Sequence, residues 1–457
     1  MKTPADLVLL PHWVVPVETE GACDSARAGS LARSGSASPC GALTDHAVVV
    51  RDGAILDVLP AAAAQTRFDA RETLALPGHA LIPGLINLHG HAAMTLLRGY
   101  ADDQPLMRWL NEHIWPAEKR HVSEAFVRDG TLLAAAEMLA GGITTCNDMY
   151  FFPQAAAEAF LQAGLRATVG MIVADFASAY AADIDDYLAK GLAVRDDLKD
   201  EPLLSFAFAP HAPYTVSDAG FARINTLAEQ LGVSIHTHIH ETADEIRDSL
   251  RQYGERPLER LARLGLLGPN FIGVHAVHMN EAEIESLASH GCHVAHCPAS
   301  NLKLASGIAP AAALARAGVN LGLGTDSAAS NNRLDLFAEM RLAALLAKGA
   351  GGDAAALPAA AALRMATLDG ARALNLDDRI GSITPGKRAD LVAVDLGGFA
   401  TQPVFDPVSH LVYVAGREHV THVWVDGRLK LADRRLVDLD TADLAARAAY
   451  WRGKLTA

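Results

Sequence analysis

The ten residues Ile82-Pro83-Gly84-Leu85-Ile86-Asn87-Leu88-His89-Gly90-His91 decide the architecture. An apolar run of strand length ends here on two histidines spaced two apart. On extended backbone alternate side chains share a face, so both imidazoles point the same way. Two neutral imidazoles on one face are a natural beginning for a metal site. A lone His-x-His pair is weak evidence. Its weight comes from what recurs downstream.

Short apolar runs reappear at regular intervals. After the candidate strand Leu81 to Leu88 come Ile143 to Asn147, Ala167 to Val173, Leu204 to Ala209 and Ser234 to His238. Phe271 to Val274, His293 to His296 and Asn320 to Gly324 follow. Between them lie segments of helical period that end near glycine, such as Ala219 to Leu231 and Glu281 to His290. Eight strands alternating with helices over about 250 residues or more is the rhythm of a (β/α)₈ barrel. A doubly wound sheet is the rival, but no G-x-G-x-x-G follows a strand.

The barrel is expected over residues 76–374. Flanking regions 1–75 and 375–457 read instead as short strands and turns, among them Ala47 to Val50, Ile55 to Leu59, Arg388 to Asp395 and His422 to Arg428. The economical arrangement is a small β-sandwich domain assembled from both chain ends, with the barrel inserted between them. Residues 18–45 are rich in Ser, Gly and Ala and read as a loop or insertion.

Barrels gather functional groups at the C-terminal ends of their strands. Those ends carry His89 and His91, Asp148, His211, the series His236, His238, His240 with Glu241, then His275, His296 and Asp326. On the fifth strand one histidine suffices as a ligand, and spacing alone does not choose among the three. Asp326 follows Gly322-Leu323-Gly324-Thr325, where an aspartate is usually a turn residue. In this company it can complete a metal shell and take a proton from a bound water.

Composition excludes several classes of function. The chain has 457 residues, half of them hydrophobic, and a formal charge of −14. That sign disfavours a nucleic-acid partner. No apolar run reaches the roughly 18 residues of a membrane span. Asp6 and the break at Pro11-His12 make the start a poor secretion signal. Five cysteines without a C-x-x-C pair argue against a disulfide framework or a thiolate zinc site, and for a cytoplasmic setting.

The chain resembles the amidohydrolase superfamily, in its methylthioadenosine/S-adenosylhomocysteine deaminase and triazine-hydrolase branch. The resemblance rests on Ile82 to His91 with Met94 and Leu97-Arg98-Gly99, and on Pro210-His211-Ala212-Pro213-Tyr214. It continues in His238-Ile239-His240-Glu241-Thr242, Cys297 to Leu304, Gly324-Thr325-Asp326 and Pro385 to Leu391. It implies one divalent metal ion, for which zinc best suits the donor set, held by His89, His91, His238 and Asp326. Glu241 is then the proton shuttle, His275 orients the attacking hydroxide, and Asp326 takes its proton. His211 would touch the purine, and Glu118, within Ile114-Trp115-Pro116-Ala117-Glu118, the ribose hydroxyls.

The implied reaction is hydrolytic deamination of a small-molecule, adenosine-like nucleoside, giving the inosine analogue and ammonia. 5′-Methylthioadenosine, S-adenosylhomocysteine and adenosine are the candidates. Some relatives hold the homocysteine tail with an arginine beyond the third strand. After Val173-Ala174-Asp175-Phe176 no counterpart stands here, the first downstream being Arg195 in a helical segment. That departure favours 5′-methylthioadenosine or another adenosine-like nucleoside.

Two other readings are weighed: the same chemistry on guanine-like bases or triazines, and a non-catalytic barrel serving as a binding module. A polynucleotide deaminase is weaker still, since the H-x-E and P-C-x-x-C signature is missing and the net charge is of the wrong sign. His278 and His296 read as structural histidines. Trp109 and Trp115 flank a segment over the pocket, at least one of them as packing, and Asp148 reads as a partner of the first-strand histidines. A homo-oligomer paired through barrel helices is open, although no face announces it.

Overall fold

The computed structural model describes residues 2–18 and 41–456. Eight strands form one parallel sheet in chain order: Leu85–Gly90, Ile143–Tyr150, Arg166–Val173, Leu204–Pro210, Ser234–Ile239, Phe271–His275, His293–His296 and Asn320–Leu323. They are the first to eighth barrel strands. Every residue of the second and third is buried, as a sheet covered on both faces requires. Helices such as Glu124–Ala140, Ile184–Leu198 and Asp218–Leu231 return the chain between strands. Ser123, Asp183 and Ser217 cap them, each side chain accepting a backbone N–H of the first turn.

The barrel closes between its eighth and first strands without a backbone ladder. Asn87 Nδ2 donates to Thr325 Oγ1 at 2.8 Å, and Thr325 N donates back to Asn87 Oδ1 at 2.9 Å. Asp326 N then donates to His89 O at 3.0 Å. Gly324 permits this approach, since a Cβ there would lie 2.8 Å from the Cβ of His89.

The expected strand Leu81 to Leu88 is two strands in two different sheets. Phe68–Pro83 belongs to the sheet built from the chain ends, and Leu85–Gly90 to the barrel. Gly84 makes the transfer. A Cβ on it would fall 2.0 Å from Thr144 Oγ1, and its N–H donates to Asp390 O at 2.8 Å.

The second sheet has nine strands and draws on both ends of the chain. Its order is Arg435–Leu436, Arg428–Ala432, Val420–Val425, Leu391–Asp395, Phe68–Pro83, Thr3–Val14, His46–Arg51 and Ala54–Pro60. The ladder bends until its wings meet: Trp424 shares a core with Val48 and Val50, and Gly427 packs so closely on Gly53 that a Cβ on it would lie 2.6 Å from the Gly53 Cα. The sandwich-like character arises from this curvature of one continuous sheet. Residues 19–40 of the expected 18–45 loop lie outside the described residues, but Leu43–Thr44 pairs with Val14 and Trp13 as a short strand.

A buried ion pair fastens the two sheets together. Arg166, at the start of the third barrel strand, donates from Nε and Nη2 to both oxygens of Asp390 at 2.9 and 3.1 Å. Among the described residues no helix is long and apolar enough to cross a membrane.

Candidate active site

The barrel's C-terminal mouth opens into a cavity of about 860 Å³. His91, His211, His238, Glu241, His275 and Asp326 face it from the barrel, and Glu118 from the helix Trp115–His121. His89 lies beneath them, fully buried. All eight residues singled out from the sequence are thus brought to one place.

At its floor the donor atoms converge. His89 Nε2 and His238 Nε2 are 3.3 Å apart, and Asp326 Oδ1 lies 3.4 Å from His89 Nε2 and 3.2 Å from His91 Nε2. His91 Nδ1 donates to Met149 O at 2.5 Å and His238 Nδ1 to His211 O at 2.6 Å. A carbonyl can only accept, so both rings carry a proton on Nδ1 and, when neutral, a lone pair on Nε2. His89 Nδ1 meets His236 Nε2 at 3.0 Å. Lone pairs crowded around one point repel unless a cation stands between them. The arrangement therefore fits a divalent ion, and three nitrogens with one carboxylate oxygen suit zinc. His275 Nε2 is a further nitrogen on this floor, grouped with His89 and His238.

His89 and His238 favour the neutral, lone-pair-bearing form, whereas His91 is held charged by Asp326. Burial drives the His89 pKa down to about 3 and that of His211 to about 4, and holds His238 well below its ordinary value. Burial also opposes charge on His91, but the Asp326 carboxylate outweighs it and raises that imidazole to about 9. For Asp326 burial would raise the carboxyl, yet His89 and His91 hold it well below the usual carboxylate range. The second oxygen, Oδ2, accepts the hydroxyls of Ser300 and Ser330, the latter at 2.8 Å. The residue sits at a φ of 59°, a left-handed conformation that Asp tolerates better than most.

Glu241 lies 3.8 Å from His275 Nε2, and burial raises its pKa. The turn that carries it is locked. Glu245, three residues past the capping Thr242, reaches back to accept the N–H groups of His240 and Glu241 at 3.1 and 2.9 Å. His275 is fixed in turn by Asn301, whose Oδ1 is 2.9 Å from its Nδ1.

The fifth-strand histidines separate by partner. His236 supports His89, His238 joins the donor cluster, and His240 turns away to accept Leu258 N at 3.1 Å. His278 and His296 stand outside the cluster, His278 bonded to Ser306 O and His296 buried. Trp109 is buried, and both tryptophans line the cavity. Asp148 departs from expectation. Its Oδ1 accepts Ala92 N at 2.7 Å and holds the turn after His91, with no hydrogen bond to a histidine ring among the described residues.

Sequence reasoning missed Tyr150, Ser300, Ser330, Asn301 and Glu245. Ser300 and Asn301 lie in the Cys297 to Leu304 motif without a role of their own, and Glu245 left a trace because Thr242-Ala243-Asp244-Glu245 has the spacing of a helix-capping box.

The sequence profile of the amidohydrolase family matches residues 80–430, and the chain belongs to that family. A protein of Saccharophagus degradans named 5-methylthioadenosine/S-adenosylhomocysteine deaminase is 46% identical, covering 100% of this chain and 98% of its own. One of the same name from Teredinibacter turnerae is 50% identical over 90% of this chain and 93% of its own. A crystal structure of an adenosine deaminase from Xanthomonas campestris with bound zinc is 51% identical and superposes with a TM-score of 0.94, covering 100% of both chains.

Proposed function

We propose that the protein hydrolytically deaminates an adenosine-like nucleoside, with 5′-methylthioadenosine as preferred substrate. One observation carries the reading: a single cavity joins the His89, His91, His238 and Asp326 cluster and the buried acid Glu241 to a second carboxylate, Glu118. A divalent ion on the cluster, zinc by its donor set, would activate the attacking water as a Lewis acid.

The side chains supply the rest. Glu241, whose raised pKa keeps a proton available nearer neutrality, protonates the ring nitrogen beside the amine-bearing carbon. The ring then takes up the water oxygen without building an anion. Asp326 Oδ1 accepts one proton of the water while Ser300 and Ser330 hold Oδ2, and it passes that proton to the amine, which leaves as ammonia; the remaining hydroxyl proton returns to the Glu241 carboxylate as the ring C=O forms. His275, oriented by Asn301, positions the water from the side of Glu241. His211 meets the purine, and Glu118 accepts the ribose hydroxyls.

The tail follows from the cavity wall. Phe176, Ala177, Ser178 and Ala179 line it beyond the third strand, and Lys119 is its single Lys or Arg among the described residues. Arg195 is spent on Asp196 at 3.0 Å, on the helix Ile184–Leu198. This favours an uncharged thioether over a zwitterionic tail. The buried free thiols Cys146, Cys292 and Cys297 suit a cytoplasmic setting.

The test is ammonia release from 5′-methylthioadenosine, S-adenosylhomocysteine, adenosine, guanine and an aminotriazine. Activity on the adenosine-like compounds is expected. Glu241→Gln should lower it by roughly 10²- to 10⁴-fold with unchanged metal content. Turnover of guanine or the triazine alone would overturn the nucleoside reading, and silence across the panel would make the barrel a binding module.

A further inference from the structure

We propose that Tyr150 is a positioning residue that holds Glu118 toward the ribose diol, so that the pair makes the enzyme read the sugar as well as the base. The inference rests on the reading that Glu118 meets the ribose.

Glu118 is the one candidate residue that the barrel does not itself present. It stands on the seven-residue helix Trp115–His121, which follows a π-helical turn at Leu110–Ile114. A glutamate has three side-chain torsions, and on a half-buried helix beside a large cavity nothing in its own helix fixes them. Tyr150 is its opposite. It is the last residue of the second barrel strand, 5% exposed, and its ring packs edge-on against Phe151. Its hydroxyl donates to Glu118 Oε1 at 2.6 Å. Burial and the neighbouring carboxylate push the phenol well above its ordinary pKa, so the hydroxyl stays a donor.

The geometry leaves the other half of the carboxylate free for a ligand. Among the described residues Glu118 Oε2 has no hydrogen-bond partner, and the side chain lines the cavity. An ionised carboxylate offers about four lone-pair sites. Tyr150 uses one, which leaves enough to accept both hydroxyls of a vicinal diol. A rigid phenol on the barrel thus sets the distance between the sugar-binding carboxylate and the chemistry at Glu241. A free base makes no use of this device.

The experiment compares the holoenzyme with Tyr150→Phe, Glu118→Gln and the double variant. Each is assayed on 5′-methylthioadenosine and on its 2′,3′-dideoxy analogue, with kcat and KM resolved. In the parent the diol substrate should be favoured, and Glu118→Gln should erase that preference. Tyr150→Phe should raise KM for the diol substrate by roughly 5- to 20-fold, the loss of one charge-assisted hydrogen bond. Its kcat should stay within about twofold, and the dideoxy substrate should not respond. The double variant should be no worse than Glu118→Gln. Equal losses on both substrates would make Tyr150 a merely structural tie and overturn the proposal, as would no change on either. A preference that survives Glu118→Gln would instead overturn the ribose reading of Glu118, and the proposal with it.

Discussion

Replacing Ala177 by arginine should convert the preference for an uncharged tail into acceptance of a zwitterionic one. Ala177 is exposed and lines the cavity beyond the third barrel strand, so a longer side chain costs little packing there. In the parent a homocysteine carboxylate entering this region meets Phe176, Ala177 and Ala179, with Glu118 and Lys119, on one helix, elsewhere in the same cavity. A hydrogen bond to a charged group contributes about 1.5–3 kcal/mol, and each 1.4 kcal/mol is tenfold. One missing partner therefore predicts that kcat/KM for S-adenosylhomocysteine lies about 10- to 150-fold below that for 5′-methylthioadenosine. Ala177→Arg should recover much of that ratio, and the recovery should shrink as salt is raised, because the new pair is solvent-accessible. Deamination is followed continuously for both substrates at two ionic strengths. Equal kcat/KM for the two substrates in the parent would refute the reasoning, and so would a variant that raises both alike.

Two further outcomes follow from groups away from the tail. Asp390→Ala should leave Arg166 in the interior with only its longer contact to Asp426 Oδ1 at 3.7 Å, at a cost of up to about 3–5 kcal/mol. With about 2.1 cal/mol/K of unfolding entropy per residue over this length, Tm should fall by about 3–5 °C at constant kcat. A combined Arg166→Met/Asp390→Leu change should restore most of it; a single variant that melts with the parent would remove the pair from the stability argument. Glu118 supplies the second. Burial lifts its carboxyl to about 7 against the opposing pull of Tyr150 and His91. A raised acid pKa means that the accepting carboxylate is lost as pH falls through that value. KM for a ribonucleoside should then rise about tenfold per unit below pH 7, with a flat profile for the dideoxy analogue. Parallel profiles for the two substrates would count against the assignment.

Much of the fold was legible because strand ends announced themselves. His293 to His296 matches its strand residue for residue, and most other barrel strands differ at their edges only. The misreading at Leu81 to Leu88 has a plain cause. Apolar continuity runs unbroken from one sheet into the other, and the only mark of the crossing is Gly84, which sequence alone does not distinguish from a turn glycine. The strand Phe68–Pro83 was hidden for the opposite reason, since its first half is largely exposed and polar. In the site, ligand-type residues stand out by chemistry and position. Ser300, Ser330 and Asn301 do not, because their effect depends on where two loops meet and no spacing encodes that. Tyr150 was lost by ending the second strand at Asn147, three residues before the phenol that faces Glu118.

The closure of the barrel has a consequence for how the protein is put together. The joint between its last and first strands is stitched by Asn87, Thr325, Asp326 and the carbonyl of His89, so the seam of the cylinder and the floor of the pocket share the same few residues. Whatever grips His89 and Asp326 at once also draws the two edges of the cylinder together. Occupancy and architecture are thus thermodynamically linked: a ligand that binds only the closed seam shifts the balance toward the closed barrel.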